Sequence, residues 1–332
     1  MMETLEMIEV QLQKSMPRFE WELRKPLIEK ILKLKKEKNV VVLAHNYQVP
    51  EIFYGIADVT GDSLALARES VHRQEADAIL FCGVHFMAET AKLFNPEKPV
   101  LIADMQAGCS LAESITGADV RALKAKHPGV PVVTYVNSSA EVKAESDICC
   151  TSGNALAVVQ SLKTDKVIFL PDGFLASYVA RQTDVEIISW EGTCVVHEEF
   201  TTDQVEAYRA QYPGLKVLAH PECHPDVQSA ADLVGSTEFI RSQINSAPAG
   251  SVWAVGTEIS LVNRLAIDNP DKTIFCLDPV TCPCSTMYRI HPAYLLWVLE
   301  SLLEGVVVNQ ITVPDDIKMD AQIALNRMLS LR

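Results

Sequence analysis

Residues 39–50 read NVVVLAHNYQVP, an apolar, β-branched run that stops at His45, Asn46 and Tyr47. Buried parallel strands look like this, because both faces are covered and no polar alternation survives. The same construction returns twice. Val130–Ala140 reads VPVVTYVNSSA, and Leu215–Pro225 reads LKVLAHPECHP. Each run follows an amphipathic helical stretch. His45 and Tyr135 are 90 residues apart, and Tyr135 and His220 are 85 apart.

The likeness continues downstream. A short helical piece leads to a second strand, ADVTGDS, SDICCTSGN or ADLVGST, opened by Asp58, Asp147 and Asp232. A helix and a third strand follow (ADAILFCG, KVIFLPDG, SVWAVGTE), then another helix and a fourth strand (VLIAD, VEIISW, TIFCLD). Just after each fourth strand stands a cysteine: Cys109, Cys194 and Cys284, spaced 85 and 90 residues apart. A repeat of this period predicts an α/β fold of three homologous three-layer αβα units, each with a four-stranded parallel sheet. Parallel α/β sheets bind ligands beyond the carboxyl ends of their strands. Packing around a pseudo-threefold axis would turn these ends toward one central cavity. The expected boundaries are an N-terminal extension over 1–16, repeats over 17–116, 117–200 and 201–291, and C-terminal helices over 292–332 packing back on the repeats.

Composition narrows the function. The 332 residues are 48% hydrophobic and 22% charged, as in a soluble globular chain, and no apolar run approaches a membrane span. The early segment METLEMIEVQLQK is acidic and amphipathic and lacks a signal-peptide core, so a cytoplasmic location is expected. A formal net charge of −14 argues against nucleic acid or an anionic membrane as partner. An anionic substrate would need local donors, such as helix N-termini and histidines.

Nine cysteines, irregularly spaced, suit neither a disulfide framework nor a zinc ribbon. Cys149, Cys150 and Cys276 fall inside strands, Cys82 ends one, and Cys223 reads as core or as a neighbour of the site. Buried small hydrophobes are the plain reading for these. Cys109, Cys194 and Cys284 differ because the repeat places them alike. Three thiolates with one open position suit a 4Fe–4S cluster acting as Lewis acid, whereas electron-transfer clusters take four. Cys282, two residues before Cys284, leaves the third ligand ambiguous.

The strand ends carry the remaining chemistry. His45, Asn46 and Tyr47, Tyr135 and Asn137, and His220 and Glu222 offer imidazoles, phenols, amides and a carboxylate for proton transfer. Gly61–Ser63, Thr151–Asn154 and Gly235–Thr237 precede helices. Their hydroxyls read as ordinary N-caps, or as part of anion sites built on backbone N–H groups. His197, in GTCVVHEEF, reads equally as a site imidazole or a surface histidine.

Taken together, AHNYQVPEI, GDSLALAR, FMAETAKLFNP, YVNSSAEVKAESD, CTSGNA, HPEC and STMYRIHP resemble the quinolinate synthase family, from about Pro17 to the C-terminus. The resemblance implies a triplicated α/β fold around a central cavity. It implies a transferase of NAD biosynthesis that condenses iminoaspartate with dihydroxyacetone phosphate to quinolinate, phosphate and water. It implies one 4Fe–4S cluster per chain, held by Cys109, Cys194 and Cys284 with one open iron. Family binding positions fall on His45, Tyr47, Ser63, Tyr135, Asn137, Ser152, His197, His220, Glu222, Ser236 and Thr237. Glu222 and Tyr47 are the expected proton shuttles, assisted by His45, with His220 also at the reacting centre. An aspartate-oxidising enzyme would supply the imine. The string TCPCSTM departs from the family pattern, since Cys282 could replace Cys284 or pair with it. Other readings are a different cluster-dependent hydro-lyase, a non-catalytic iron or redox sensor, and a protein of buried cysteines with no cluster.

Overall fold

The run that opens the chain's first repeat forms β1 (Val40–His45), buried at all six positions. In the computed structural model, which describes residues 2–73, 75–278, 280 and 283–331, it is one of twelve described strands. Cys282 lies outside the described residues. β2 (Val59–Gly61), β3 (Ala78–Cys82) and β4 (Val100–Ile102) complete a sheet of order β2-β1-β3-β4. β5 (Val132–Tyr135), β6 (Ile148–Cys150), β7 (Lys166–Leu170) and β8 (Glu186–Ser189) form a second, ordered β6-β5-β7-β8. β9 (Lys216–Ala219), β10 (Leu233–Val234), β11 (Val252–Gly256) and β12 (Thr273–Cys276) form a third, ordered β10-β9-β11-β12. Every described pairing within the three sheets is parallel.

The triplication extends to single hydrogen bonds. Asp58, Asp147 and Asp232 each accept, through Oδ2, the backbone N–H of Val42, Val132 and Val217 at 2.8, 2.8 and 2.7 Å. Each also donates its own N–H to the carbonyl of that same residue. The aspartate thus ties a two- or three-residue edge strand to the central first strand, and this is why it recurs at a fixed place.

The chain divides into two compact units, Met1–Gly108 with Cys284–Thr312, and Cys109–Pro283 with Val313–Arg332. The first holds the β1–β4 sheet. Its edge is covered by the returning chain, where Ile102 N–H bonds Asn309 O and Ile311 N–H bonds Val100 O, leaving no free ladder on that side. Helix Met2–Leu12 buries Leu5, Ile8 and Leu12 and contacts the π-helical turn Glu51–Ile56, so it backs the segment following His45–Tyr47. Helix Pro292–Leu303 packs on Arg18–Glu37, where Lys30 pairs with Glu300.

The second unit holds the other two sheets. Its helices Gly117–Lys126 and Thr202–Gln211 begin at capping boxes on Thr116 and Thr201, which satisfy otherwise orphaned N–H groups. Helix Asp315–Ser330 packs on Ala140–Ala144 and β6, and Arg327 donates to the Asp147 carbonyl at 2.6 Å. Among the described residues, no helix is long and apolar enough to cross a membrane.

In an order 2-1-3-4 the first and third strands are neighbours whose outgoing connections diverge. The crevice at their carboxyl ends is the topological switch point, where α/β sheets receive ligands.

Candidate functional site

In the second unit this crevice is lined with polar groups that burial would penalise unless they were paired. Glu222, three residues past the end of β9 and two past His220, is 3% exposed. Its Oε2 lies 2.9 Å from His197 Nδ1 and 3.3 Å from His220 Nδ1, and its Oε1 accepts from Asn137 Nδ2 at 3.3 Å. The two imidazoles stack at 4.6 Å. His197 is fixed from its other side by Thr257 Oγ1, 3.1 Å from Nε2. His220 Nδ1 also lies 3.3 Å from the Glu222 backbone nitrogen. The ring proton therefore decides whether it receives that N–H or donates to the carboxylate.

Burial alone would push the Glu222 carboxyl up. The charge and hydrogen bond of His197, then those of His220, outweigh it and hold the group well below the usual carboxylate range. Glu222 is thus an ionised carboxylate with two imidazoles at hydrogen-bond distance from one oxygen. Tyr135, 5% exposed, ends β5 in the same unit, and Asn137 follows with an Oδ1 that has no partner among the described residues.

The second-strand ends differ from one another. Ser236 caps helix Thr237–Ser246, accepting from Phe239 N–H at 3.3 Å. In the other two repeats the cap is another residue: Asp62 accepts from Ala65 N–H while Ser63 sits in the first turn, and Asn154 precedes helix Ala155–Ser161 while Ser152 lies in the turn before it. The plain N-cap reading therefore holds for Ser236 alone of the three serines. A Cβ at Gly153 would lie 3.3 Å from Ser236 Oγ, so the Ser152 turn and the Ser236–Thr237 helix start are adjacent within the second unit.

Cysteines divide into two kinds. Among those described, Cys82, Cys149, Cys150, Cys223 and Cys276 are buried, whereas Cys109, Cys194 and Cys284 are half-buried. Burial pushes the first five thiols up. The other three share one local structure, each the N-cap of a four-residue helix: Ser110–Glu113, Val195–Glu198 and Ser285–Tyr288. In the second unit, the loops before Cys194 and after Cys109 touch. A Cβ on Gly192 would sit 2.5 Å from Pro171 O, 2.6 Å from Ser114 Oγ and 3.1 Å from Leu111. Burial, then the charges of Glu222 and Cys109, raises the Cys194 thiol well above its ordinary value. Cys194 Sγ, a His197 ring nitrogen and a Glu222 oxygen lie within 4.8 Å of one another, a donor set able to hold a metal ion.

The first unit carries the remaining positions. His45 is 4% exposed, its Nδ1 accepts Tyr47 N–H at 3.2 Å, and the two rings meet edge to face at 4.6 Å. His220 with Glu222 N–H repeats this turn. Gln48 reaches Met287 in the helix that Cys284 caps, and Arg289 after that helix bonds Asp104 and Gln106.

The family model for quinolinate synthetase A protein matches residues 29–330.

The chain belongs to the quinolinate synthase family.

Quinolinate synthase of Sinorhizobium fredii is 48% identical over 316 residues, 95% of this chain and 85% of its own length. Quinolinate synthase 2 of Mesorhizobium japonicum is 50% identical over 319 residues, 96% and 95% of the two chains. Quinolinate synthase of Xylella fastidiosa is 50% identical over 305 residues, 92% and 87%.

Within this quinolinate synthase family member, three buried groups at the third-strand ends escape the sequence reading. Asp172 follows β7, and Thr257 and Glu258 follow β11; they are 0%, 0% and 1% exposed. Glu258 caps helix Ile259–Asp268, accepting from Ser260 N–H at 2.8 Å. The available signal was an acidic residue closing an apolar run, in FLPDG and AVGTE.

Proposed function

We propose that this chain makes quinolinate by condensing iminoaspartate with dihydroxyacetone phosphate, releasing phosphate and two molecules of water. Membership of the quinolinate synthase family carries the enzyme and its product, and NAD biosynthesis follows from the product. The substrates, and the aspartate-oxidising enzyme that would supply the imine, come from the resemblance. The single observation that most favours the chemistry is the ionised Glu222 clasped between His197 and His220.

Forming the ring requires protons to leave carbon and to reach departing oxygen. Glu222 is the base, and the histidines return protons, since a carboxylate bonded to two imidazoles exchanges them over one hydrogen-bond length. Tyr47 with His45 serves as the second shuttle. The phosphate and carboxylates dock at the helix starts that carry Ser63, Ser152 and Ser236–Thr237, where backbone N–H groups face an anion without a formal positive charge. Tyr135 and Asn137 add hydrogen bonds, and the unpartnered Asn137 Oδ1 accepts one.

Cys109, Cys194 and Cys284 are the proposed ligands of a 4Fe–4S cluster. Their exposure and shared helix-cap position distinguish them from the buried cysteines. The donor set fits, because the Cys194 and Cys109 thiols and the Glu222 carboxylate oppose one another's ionisation, and cationic iron held there would stabilise them as anions. When bound, a cluster with one open iron would supply Lewis acidity for the loss of a hydroxyl as water.

Gly192→Ala tests the support of the Cys194 loop. A methyl group against the Pro171 carbonyl must displace backbone, at a cost of roughly 1–3 kcal/mol. Iron retained after anaerobic purification should fall at least twofold, and wild-type iron content would show that the loop tolerates the shift. For the reaction itself, the anaerobic chain should form quinolinate only when both substrates are present, followed by chromatography of the product. Absence of quinolinate with a full complement of iron would refute the assigned reaction and favour the iron-sensor reading.

A further inference from the structure

The three repeats can be superposed residue by residue through their strand registers. Ala44 pairs with Cys82, Thr134 with Leu170 and Ala219 with Gly256. The next residues, Gly83, Pro171 and Thr257, are therefore equivalent, and the ones after them, Val84, Asp172 and Glu258, each stand at the N-cap of the following helix. A glycine and a proline serve the fold at this place in two repeats, so the fold itself does not require a threonine in the third. A second position departs from the repeat in the same way. Three residues after the helix-capping cysteines stand Ala112, His197 and Met287, all buried. The one hydroxyl and the one imidazole of these two sets meet: Thr257 Oγ1 lies 3.1 Å from His197 Nε2.

The contact settles a choice the rest of the pocket leaves less firmly fixed. His197 stacks on His220 with ring centroids 4.6 Å apart, which fixes the plane of the ring. A half-turn about the Cβ–Cγ bond keeps that plane and exchanges each nitrogen for a carbon. In the observed orientation Nδ1 lies 2.9 Å from Glu222 Oε2 and 3.2 Å from Cys194 Sγ, and Nε2 meets Thr257. The turned ring would lose the hydroxyl as well as the carboxylate. A hydroxyl can donate to a bare ring nitrogen or accept from a protonated one, so its hold does not depend on the charge of the ring. The frame around it is stiff. Thr257 is fully buried and β-branched, and the preceding carbonyl, Gly256 O, accepts from His220 N–H at 3.0 Å and from Cys223 Sγ at 3.3 Å. The strand that carries the hydroxyl is thus tied to the loop that carries Glu222.

We propose that Thr257 is a positioning residue of the reaction, its hydroxyl holding the His197 ring with Nδ1 turned to Glu222. The proposal rests on reading the site as the quinolinate-forming one. Thr257 acts through the imidazole, as the outer partner of a functional histidine commonly does. It keeps His197 and Glu222 one hydrogen-bond length apart when a proton has to pass.

Two substitutions separate the hydroxyl from the packing. Thr257→Val keeps the shape and removes the hydroxyl; Thr257→Ser keeps the hydroxyl and removes the methyl group. Steady-state quinolinate formation, iron content and Tm would be measured on anaerobically purified holoenzyme. Thr257→Val should lower kcat about tenfold, the value of one hydrogen bond, with KM for both substrates and iron at the wild-type level and Tm within a few degrees. Thr257→Ser should recover most of the lost kcat. A Thr257→Val kcat within twofold of wild type would overturn the proposal. So would the reverse order, with Thr257→Ser the more damaged, which would make the methyl group the part that matters. A raised KM with kcat unchanged would make the hydroxyl a substrate contact instead, and loss of iron or Tm in parallel with activity would make Thr257 a structural residue. A wild-type chain that forms no quinolinate overturns the assigned reaction and the proposal with it; the other outcomes, seen only in the variants, bear on Thr257 alone.

Discussion

Glu222→Gln is expected to lower kcat for quinolinate formation about a thousandfold, within the range by which positioned acid–base groups accelerate reactions, while iron content stays at the wild-type level. The amide keeps the shape of the side chain and can still receive the Asn137 hydrogen bond. It cannot take a proton. It also removes the negative charge that faces His197 and His220, both buried and both within 3.3 Å of the carboxylate. The base and the hydrogen bonds that hold the two imidazoles against it are therefore altered together. An effect of this kind exceeds the removal of a single hydrogen bond, which is worth about tenfold. Kinetics at saturating substrate, with iron determined on the same sample, separate the two. Near-normal kcat would remove Glu222 from the mechanism.

Cys194→Ala is expected to abolish both iron and activity, with iron below a tenth of wild type after anaerobic reconstitution. The comparison that gives this force is Cys223→Ala. Cys223 is also in the second unit and also close to Glu222, but its thiol is fully buried and donates to Gly256 O at 3.3 Å. It behaves as a small core side chain, so its replacement should leave colour and turnover within about twofold of wild type and lower Tm slightly, the usual result of a small deletion in a core. Visible absorbance and iron assays on the two variants distinguish loss of a ligand from general damage. Equal loss in both would indicate that thiol removal simply loosens the unit.

Much of this was legible in the chain because triplication writes the same physics three times. The β-branched runs at 40–45, 132–135 and 216–219 became the central strands of three sheets. The aspartates at 58, 147 and 232 recur because each closes the same pair of hydrogen bonds. Spacing along the chain cannot give the lateral order of strands. The order 2-1-3-4 places the third strand beside the first, which sets Asp172 beside the end of β5 and Thr257 beside the end of β9, the strand that Glu222 follows. For the same reason His197 could be read either way from GTCVVHEEF. Its burial depends on Thr257, sixty residues away, and on Glu222, neither of which a local pattern reveals. Helix starts were misleading on a smaller scale. Ser63 and Ser152 follow the cap preferences as well as Ser236 does, but Asp62 and Asn154 occupy the cap in their repeats. The amphipathic N-terminal helix announced an apolar face without saying what covers it, and the answer, the turn at Glu51–Ile56, is a tertiary one.

The three-cysteine cluster is tested most directly by iron and acid-labile sulfide per chain in anaerobically purified wild type and Cys284→Ala, with the visible spectrum of each. About four irons and four sulfides are expected in the wild type, as for one 4Fe–4S cluster, and nearly none in the variant. A wild type without iron after reconstitution, or a Cys284→Ala chain as brown as its parent, would contradict it, the second result moving the third ligand to Cys282.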